Sequence, residues 1–117
     1  MAASARRVAV RGAASAAFDP ADMVEHAGEA ARLLKALANE HRLMILCALS
    51  AGEMSVGTLN ARVPLSQSAL SQHLAVLRED GLVTTRRESQ TIIYAATEGA
   101  ALEIIRVLHR RYCCGTH

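Results

Sequence analysis

The sequence predicts a mainly α-helical domain carrying one small β-hairpin. Three observations point there. Apolar residues recur at helical spacing in several segments, and Asn or Ser precedes most of them in capping position. The β-branched residues Val83, Thr84, Thr85, Thr91, Ile92 and Ile93 gather in two short runs around one polar turn. With one Phe, two Tyr and no Trp, the core must be built from Leu, Ile, Val and Ala, which suits helix packing. A chain of 117 residues has room for one domain, and 51% apolar residues are enough for a packed core.

The elements follow in order. Residues 1–19 read as a flexible tail, rich in Ala and Ser, with Arg6, Arg7 and Arg11 and no acid before Asp19. This composition loosely resembles a transit peptide, but a solvated tail is the simpler reading. The domain is expected over 20–117. Pro20 can start a helix, and Val24, Ala27, Ala31 and Leu34 continue it at helical spacing to residue 38. Asn39 reads as the cap of a second helix over 40–49. That helix is apolar nearly all round from Leu43, as a central helix is. Ser55 caps a short third helix ending near Arg62, and Pro64 forces the chain out of it. Ser66 caps a fourth helix that runs to Asp80 and stops at Gly81. Extended runs over 82–87 and 91–96 flank the turn Glu88-Ser89-Gln90 and make a hairpin. A last helix is expected from about Thr97 to Cys113 and Cys114.

The order is α-α-α-α-β-β-α. A short helix and a longer one joined by a brief turn form a helix-turn-helix. The hairpin directly behind it is a wing, so a winged helix-turn-helix on duplex DNA is the expectation. On a helical wheel of the fourth helix, Ala69, Leu70, Leu74, Val76 and Leu77 fall on one side. Gln67, Ser68, Ser71, Gln72, Ala75, Arg78 and Glu79 fall on the other. The outward N-terminal half is thus uncharged and rich in short donors and acceptors. Gln pairs bidentately with adenine, and Ser contacts bases or phosphate. Recognition helices of this motif use their N-terminal residues on base edges. Arg86, Arg87 and Gln90 sit at the wing tip, within reach of the DNA backbone or minor groove. His73 lies among the apolar residues of the wheel and reads as a core or rim histidine.

A formal charge of +2 adds little to this argument. No apolar run is long enough for a membrane span, and no membrane partner is expected. Three cysteines are too few for a disulfide scaffold, so a reducing cytoplasm is the expected compartment. The pattern holds no Cys-x-x-Cys and no α/β alternation, which argues against a thiol-based redox enzyme. An architectural DNA binder, with Arg6, Arg7 and Arg11 in a minor groove, is a further alternative. No catalytic residue and no cofactor are expected.

The stretches LLKALANEHRLMILCAL and LSQSALSQHLAVLREDGLVTTRRESQTIIYA resemble the ArsR family of winged-helix repressors over roughly residues 30–113. The Ser-Gln-x-x-x-Ser-x-His-Leu core followed by Leu-x-x-x-Gly-Leu-Val carries most of the likeness. The resemblance implies a homodimer joined through the first and last helices and bound to a palindromic operator. It also implies DNA contacts at Gln67, Ser68, Ser71, Gln72 and His73.

Members of that family differ in what they sense. Metalloid sensors carry a Cys-x-Cys pair near the third helix, where this chain reads GEMSVGTLN. Zinc-type members use Asp and His pairs on the last helix, where this chain offers only His109 and His117. Neither metal site is expected. Three thiols remain. From the residues alone, Cys47 is a small core side chain, and Cys113 and Cys114 belong to a fraying helix end. The wheel of the last helix puts Cys113 at the edge of the apolar arc and Cys114 on the polar side with Glu103 and Arg110. The segments RLMILCALSAGEMSV and LHRRYC resemble the SqrR/BigR branch, which senses persulfides and oxidants. That resemblance implies a redox-sensing pair, Cys47 and Cys113, whose bridging by a persulfide or oxidant releases the operator. A metal- or metalloid-responsive repressor using Cys47, Cys113 and Cys114 is the alternative, since soft ions prefer thiolates.

Overall fold

The computed structural model describes residues 19–113. The expected tail and Cys114 therefore lie outside the described residues, Asp19 apart. The chain divides into two compact units, one up to Leu33 and one from Leu34 onward.

In the first unit, α1 (Pro20–Val24) starts at Pro20 as expected, and the Asp19 carboxylate caps it by accepting from the Ala21 N–H at 3.0 Å. The expected single helix over 21–38 is instead two. The His26 N–H bonds the Met23 carbonyl at 2.9 Å, an i→i−3 bond that tightens the turn and interrupts the α-helical ladder. The chain resumes as α2 (Ala27–Leu37), which runs across the unit boundary.

The second unit is built around α3 (Glu40–Ser50). The Asn39 side chain accepts from the N–H groups of His41 and Arg42, each at 3.0 Å, and satisfies two of the donors a helix start leaves open. Arg42 reaches back in turn: its Nε donates to the Ala36 carbonyl at 2.8 Å, in the last turn of α2. Ile45, Leu46 and Leu49 are buried, and α3 packs chiefly on α6 (Ala100–Cys113), with further contacts to β3 (Thr91–Ala96), α4 (Val56–Arg62) and α5 (Gln67–Glu79). Its apolar character on almost every side follows from that central place.

The strand β1 (Met54–Ser55) comes next and is absent from the sequence expectation. Ser55 then caps α4 (Val56–Arg62) through the Thr58 N–H, and Ser66 caps α5 (Gln67–Glu79) through the Ala69 N–H. Gly81, at φ +76°, takes the left-handed conformation that ends α5. The strands β2 (Val83–Glu88) and β3 (Thr91–Ala96) form the antiparallel hairpin, with Val83 opposite Ala96 and Glu88 opposite Thr91. β1 pairs with the other edge of β3, Met54 opposite Tyr94, so the sheet order is β1-β3-β2. The last helix begins at Ala100, three residues later than expected. The Thr97 N–H is already engaged with the Leu82 carbonyl at 3.0 Å, which prolongs the base of the hairpin.

The observed order is mainly helical with a small antiparallel hairpin, as expected. Among the described residues, no helix is long and apolar enough to cross a membrane.

Candidate functional site

The helix α5 is held by Leu70, Leu74 and Leu77, all essentially fully buried. Their spacing of three and four places them on one face. Gln67, Ser68, Ser71, Gln72 and Ala75 are exposed on the rest of the helix. The Ser66 hydroxyl is used in capping the helix, and the Gln and Ser side chains behind it face solvent. Val76, expected on the apolar side, is 38% exposed. It sits about one-third of a turn away from the Leu70–Leu77 line, at the margin of the buried face.

His73 is half-buried. Its ring lies 5.7 Å from that of His41, centroid to centroid, at the start of α3. Burial first, then the nearby positive charge of Arg42 and the His41 ring, hold its pKa below the usual histidine range. The structure thus sets His73 apart from the other α5 residues expected to touch DNA: they face outward, and its ring is half-buried beside His41 of α3.

The wing residues divide as well. Arg86 donates to both carboxylate oxygens of Glu53, at 2.9 and 3.2 Å, and to Glu88 at 3.3 Å. Arg86 lies opposite Ile93 on the central strand, and Glu53 immediately precedes the strand on its far side. The pair therefore straps the three strands together across β3. Glu53 is held below the usual carboxylate range by its hydrogen bonds from Arg86 and by that residue's charge. Arg87 and Gln90 are exposed, and Ser89 at φ +60° makes the tight turn between the strands.

The second cluster lies between α3 and α6. Leu43, Met44 and Cys47 from α3 face Ile105, Leu108, His109, Tyr112 and Cys113 from α6 around an open cavity of about 280 Å³. Helical spacing explains the lining. Leu43 and Cys47 are four apart on α3. Ile105, Leu108, His109, Tyr112 and Cys113 repeat at three and four on α6. The walls are almost wholly apolar apart from the two thiols, the imidazole and the Tyr112 hydroxyl. Cys47 is half-buried and Cys113 exposed, and both are free thiols. Burial pushes the Cys47 thiol up, and the charge Cys113 carries when ionised adds to this. The structure thus brings the two expected cysteines to one cavity with unequal access to solvent. Among the described residues, no three His, Cys, Asp or Glu side chains are grouped to hold a metal ion.

This architecture matches known proteins. Residues 39–85 match the family of bacterial regulatory proteins of the arsR type. The transcriptional activator HlyU of Vibrio cholerae is 54% identical over 92 residues, covering 79% of this chain and 85% of the relative. The chain belongs to the ArsR family. The biofilm growth-associated repressor of Xylella fastidiosa is 45% identical over 92 residues, covering 79% of this chain and 81% of its own length. Among solved structures, reduced HlyU from Vibrio cholerae superposes with a TM-score of 0.74 at 54% identity, covering 80% of this chain and 98% of that one. The repressor BigR from Xylella fastidiosa gives 0.75 at 43% identity, covering 81% and 97%.

An ArsR-family chain is a transcriptional regulator with a winged helix, and its relatives are DNA-binding regulators and not enzymes. The family match runs from Asn39 into β2, so it contains Cys47 and the whole of α5. The wing tip and Cys113 lie beyond it. Sequence reasoning missed the strap between Glu53 and Arg86 and the ring contact between His41 and His73. Both join residues far apart in the chain, and neither leaves a local pattern.

Proposed function

We propose that this ArsR-family regulator is a repressor that releases its operator when Cys47 and Cys113 become bridged. The inducer is a sulfane-sulfur donor such as a persulfide, or an oxidant. One observation carries the reading: both thiols line a single cavity between α3 and α6. Exposed Cys113 meets the reagent first, and half-buried Cys47 closes the bridge. A direct disulfide requires Cα atoms within about 7 Å, and a longer sulfur bridge relaxes that limit.

The DNA surface under this proposal is the exposed N-terminal half of α5. Gln67, Ser68, Ser71 and Gln72 read base edges in the major groove. Arg87 and Gln90 at the wing tip reach the phosphate backbone, Arg86 holds the wing in shape, and His73 holds the helix. The working form is a homodimer on a palindromic operator in the cytoplasm. Its support is the apolar surface a single chain leaves open on α2 and α6: Leu34 of α2 is 54% exposed, and Val107 and Tyr112 of α6 are 50% and 72%. Half-sites must match a DNA repeat of roughly 34 Å, so a small shift of α6 against α3 is enough to mis-space two reading heads.

The test is operator binding by the reduced protein before and after glutathione persulfide, with intact mass read on both samples. Affinity should fall as a within-chain bridge appears in the mass. Cys47→Ser and Cys113→Ser should each abolish the response, and Cys114→Ser should keep it. A Cys47→Ser protein that still responds fully would end the dithiol reading.

A further inference from the structure

Two further groups able to carry a proton line the cavity between α3 and α6 beside the two thiols, the His109 imidazole and the Tyr112 hydroxyl. His109 lines it together with Cys47 and Cys113, one helical turn before Cys113 on α6. Bridging two thiols requires each to give up its proton. Cys113 is exposed and can lose its proton to water. Cys47 is half-buried in apolar walls, where a base lining the cavity speeds the loss of its proton, and His109 is both in the lining and exposed enough to exchange protons with solvent. The remaining titratable group in the lining is the hydroxyl of Tyr112, and a phenol is a far poorer proton acceptor than an imidazole. α3 contributes only Leu43, Met44 and Cys47, with no carboxylate or cation. On α6 the one carboxylate, Glu103, lies six positions before His109 and outside the lining, and the other charges are cations: Arg110 and Arg111, which are exposed, and Arg106, which is paired with Glu98 at 3.0 Å. An imidazole exchanges protons in the physiological range, where a guanidinium does not.

We propose that His109 is the proton acceptor that readies Cys47 to close the bridge. The proposal rests on the dithiol reading above and adds the residue that moves the proton. In the first step the Cys113 thiolate attacks the terminal sulfur of a low-molecular-weight persulfide, RSSH. The S–S bond of the reagent breaks, RS⁻ leaves and is protonated to RSH, and Cys113 carries –S–SH. In the second step the Cys47 proton passes to the His109 imidazole, and the Cys47 thiolate attacks Sγ of Cys113. The Sγ–SH bond breaks. The hydrosulfide leaves with the electron pair and takes the proton back from His109 as hydrogen sulfide. Two thiol sulfurs are oxidised to a disulfide, and the sulfane sulfur is reduced to sulfide. RSSH and two thiols give RSH, hydrogen sulfide and one disulfide.

The experiment is a single-turnover reaction of the full chain with glutathione persulfide at several pH values. Intact mass follows the Cys113 persulfide and the bridge, and a sulfide electrode follows the hydrogen sulfide released. The variants are His109→Gln and His109→Ala, with circular dichroism and melting confirming the fold. The expected result is that persulfide appears on Cys113 at the wild-type rate, while bridging slows by on the order of a hundredfold. Wild-type bridging depends less steeply on pH than bridging by His109→Gln, which relies on hydroxide alone. Free imidazole restores part of the rate to His109→Ala. Bridging by His109→Gln at the wild-type rate and pH profile overturns the proposal. So does a slower rate with an unchanged profile and no rescue by imidazole, because that marks a packing role. If the wild-type chain keeps its Cys113 persulfide and forms no bridge at all, the dithiol reading fails first, and the failure shows in the parent protein and not in the variant.

Discussion

Replacing Asn39 with Ala removes a single acceptor that serves two donors. The Asn39 oxygen receives the N–H groups of His41 and Arg42, both at 3.0 Å, at the start of the helix on which the second unit is built. Without it, both N–H groups turn to water, at a site that is half-buried. Cap removals of this kind cost about 1–2 kcal/mol, whereas Gly in the same position costs only a few tenths. For a domain of this size, 1 kcal/mol is roughly 4–8 °C in Tm, so Asn39→Ala should lower Tm by about 4–16 °C. Asn39→Asp retains the acceptor and should stay near wild type. The backbone at Asn39 is extended, with φ −154°, so none of these substitutions meets strain. The assay is thermal unfolding at one fixed protein concentration, since association raises apparent stability. Equal losses for Asn39→Ala and Asn39→Asp would refute the acceptor argument. A Tm for Asn39→Ala within about 2 °C of wild type would show that the cap adds little.

Other outcomes follow from the same geometry. Arg87→Ala should weaken operator and non-specific DNA about equally and reduce the slope of log affinity against log salt by roughly 0.9, as loss of one phosphate contact does; an unchanged slope places Arg87 off the DNA. Gln72→Ala should cost about 1–3 kcal/mol of discrimination at one base position per half-site and leave non-specific binding unchanged, which binding to an operator library measures. His73 has a folded pKa below its unfolded value. The unfolded chain therefore binds more protons as pH falls below about 6.5, and stability falls with it. His73→Asn should flatten that acid loss, as read by denaturant unfolding at pH 7 and pH 5; an equally steep loss assigns it to other groups. Glu53 titrates in the opposite charge sense: its strap to Arg86 is present above the carboxylate range and opens as pH falls through the lowered folded pKa. Glu53→Gln should abolish that change in amide-exchange protection of the hairpin.

The parts of the fold legible in the sequence are those written in local chemistry. Asn39, Ser55 and Ser66 each stand where a side-chain oxygen can take a helix-start N–H, and each does so. Gly81 marks a stop because its conformation is one other residues avoid. The break between α1 and α2 was not legible, since no Pro or Gly falls at residues 25–26 and the apolar period runs through them. That period also misled in another way: Val24 and Leu34, which define it, are exposed in the single chain. β1 is two residues long, too short for alternation to show, and exists through its pairing with β3. The candidate site follows the same rule. The outward Gln and Ser residues of α5 can be read from a wheel, because one helix defines its own faces. The commitment of Arg86 to Glu53, 33 positions away, cannot. Nor can the meeting of Cys47 with Cys113, which depends on how α3 lies against α6.

That packing also bears on how a thiol event can reach DNA. α3 touches both proposed sites. Near its middle, Cys47 faces α6 across the cavity. At its start, His41 packs against His73 of α5. About six residues of helix separate these points, roughly 9 Å at 1.5 Å per residue, and a packed helix of that length transmits displacement as a rigid element. Under the dithiol reading, a sulfur bridge between α3 and α6 pulls on the same helix that contacts α5. Leu70, Leu74 and Leu77 hold α5 from its own buried face, so it follows the core and not the solvent. Under the dithiol reading, the cavity and the DNA surface are coupled through α3 itself, and a half-buried histidine pair stands at the end of α3 nearest the reading helix.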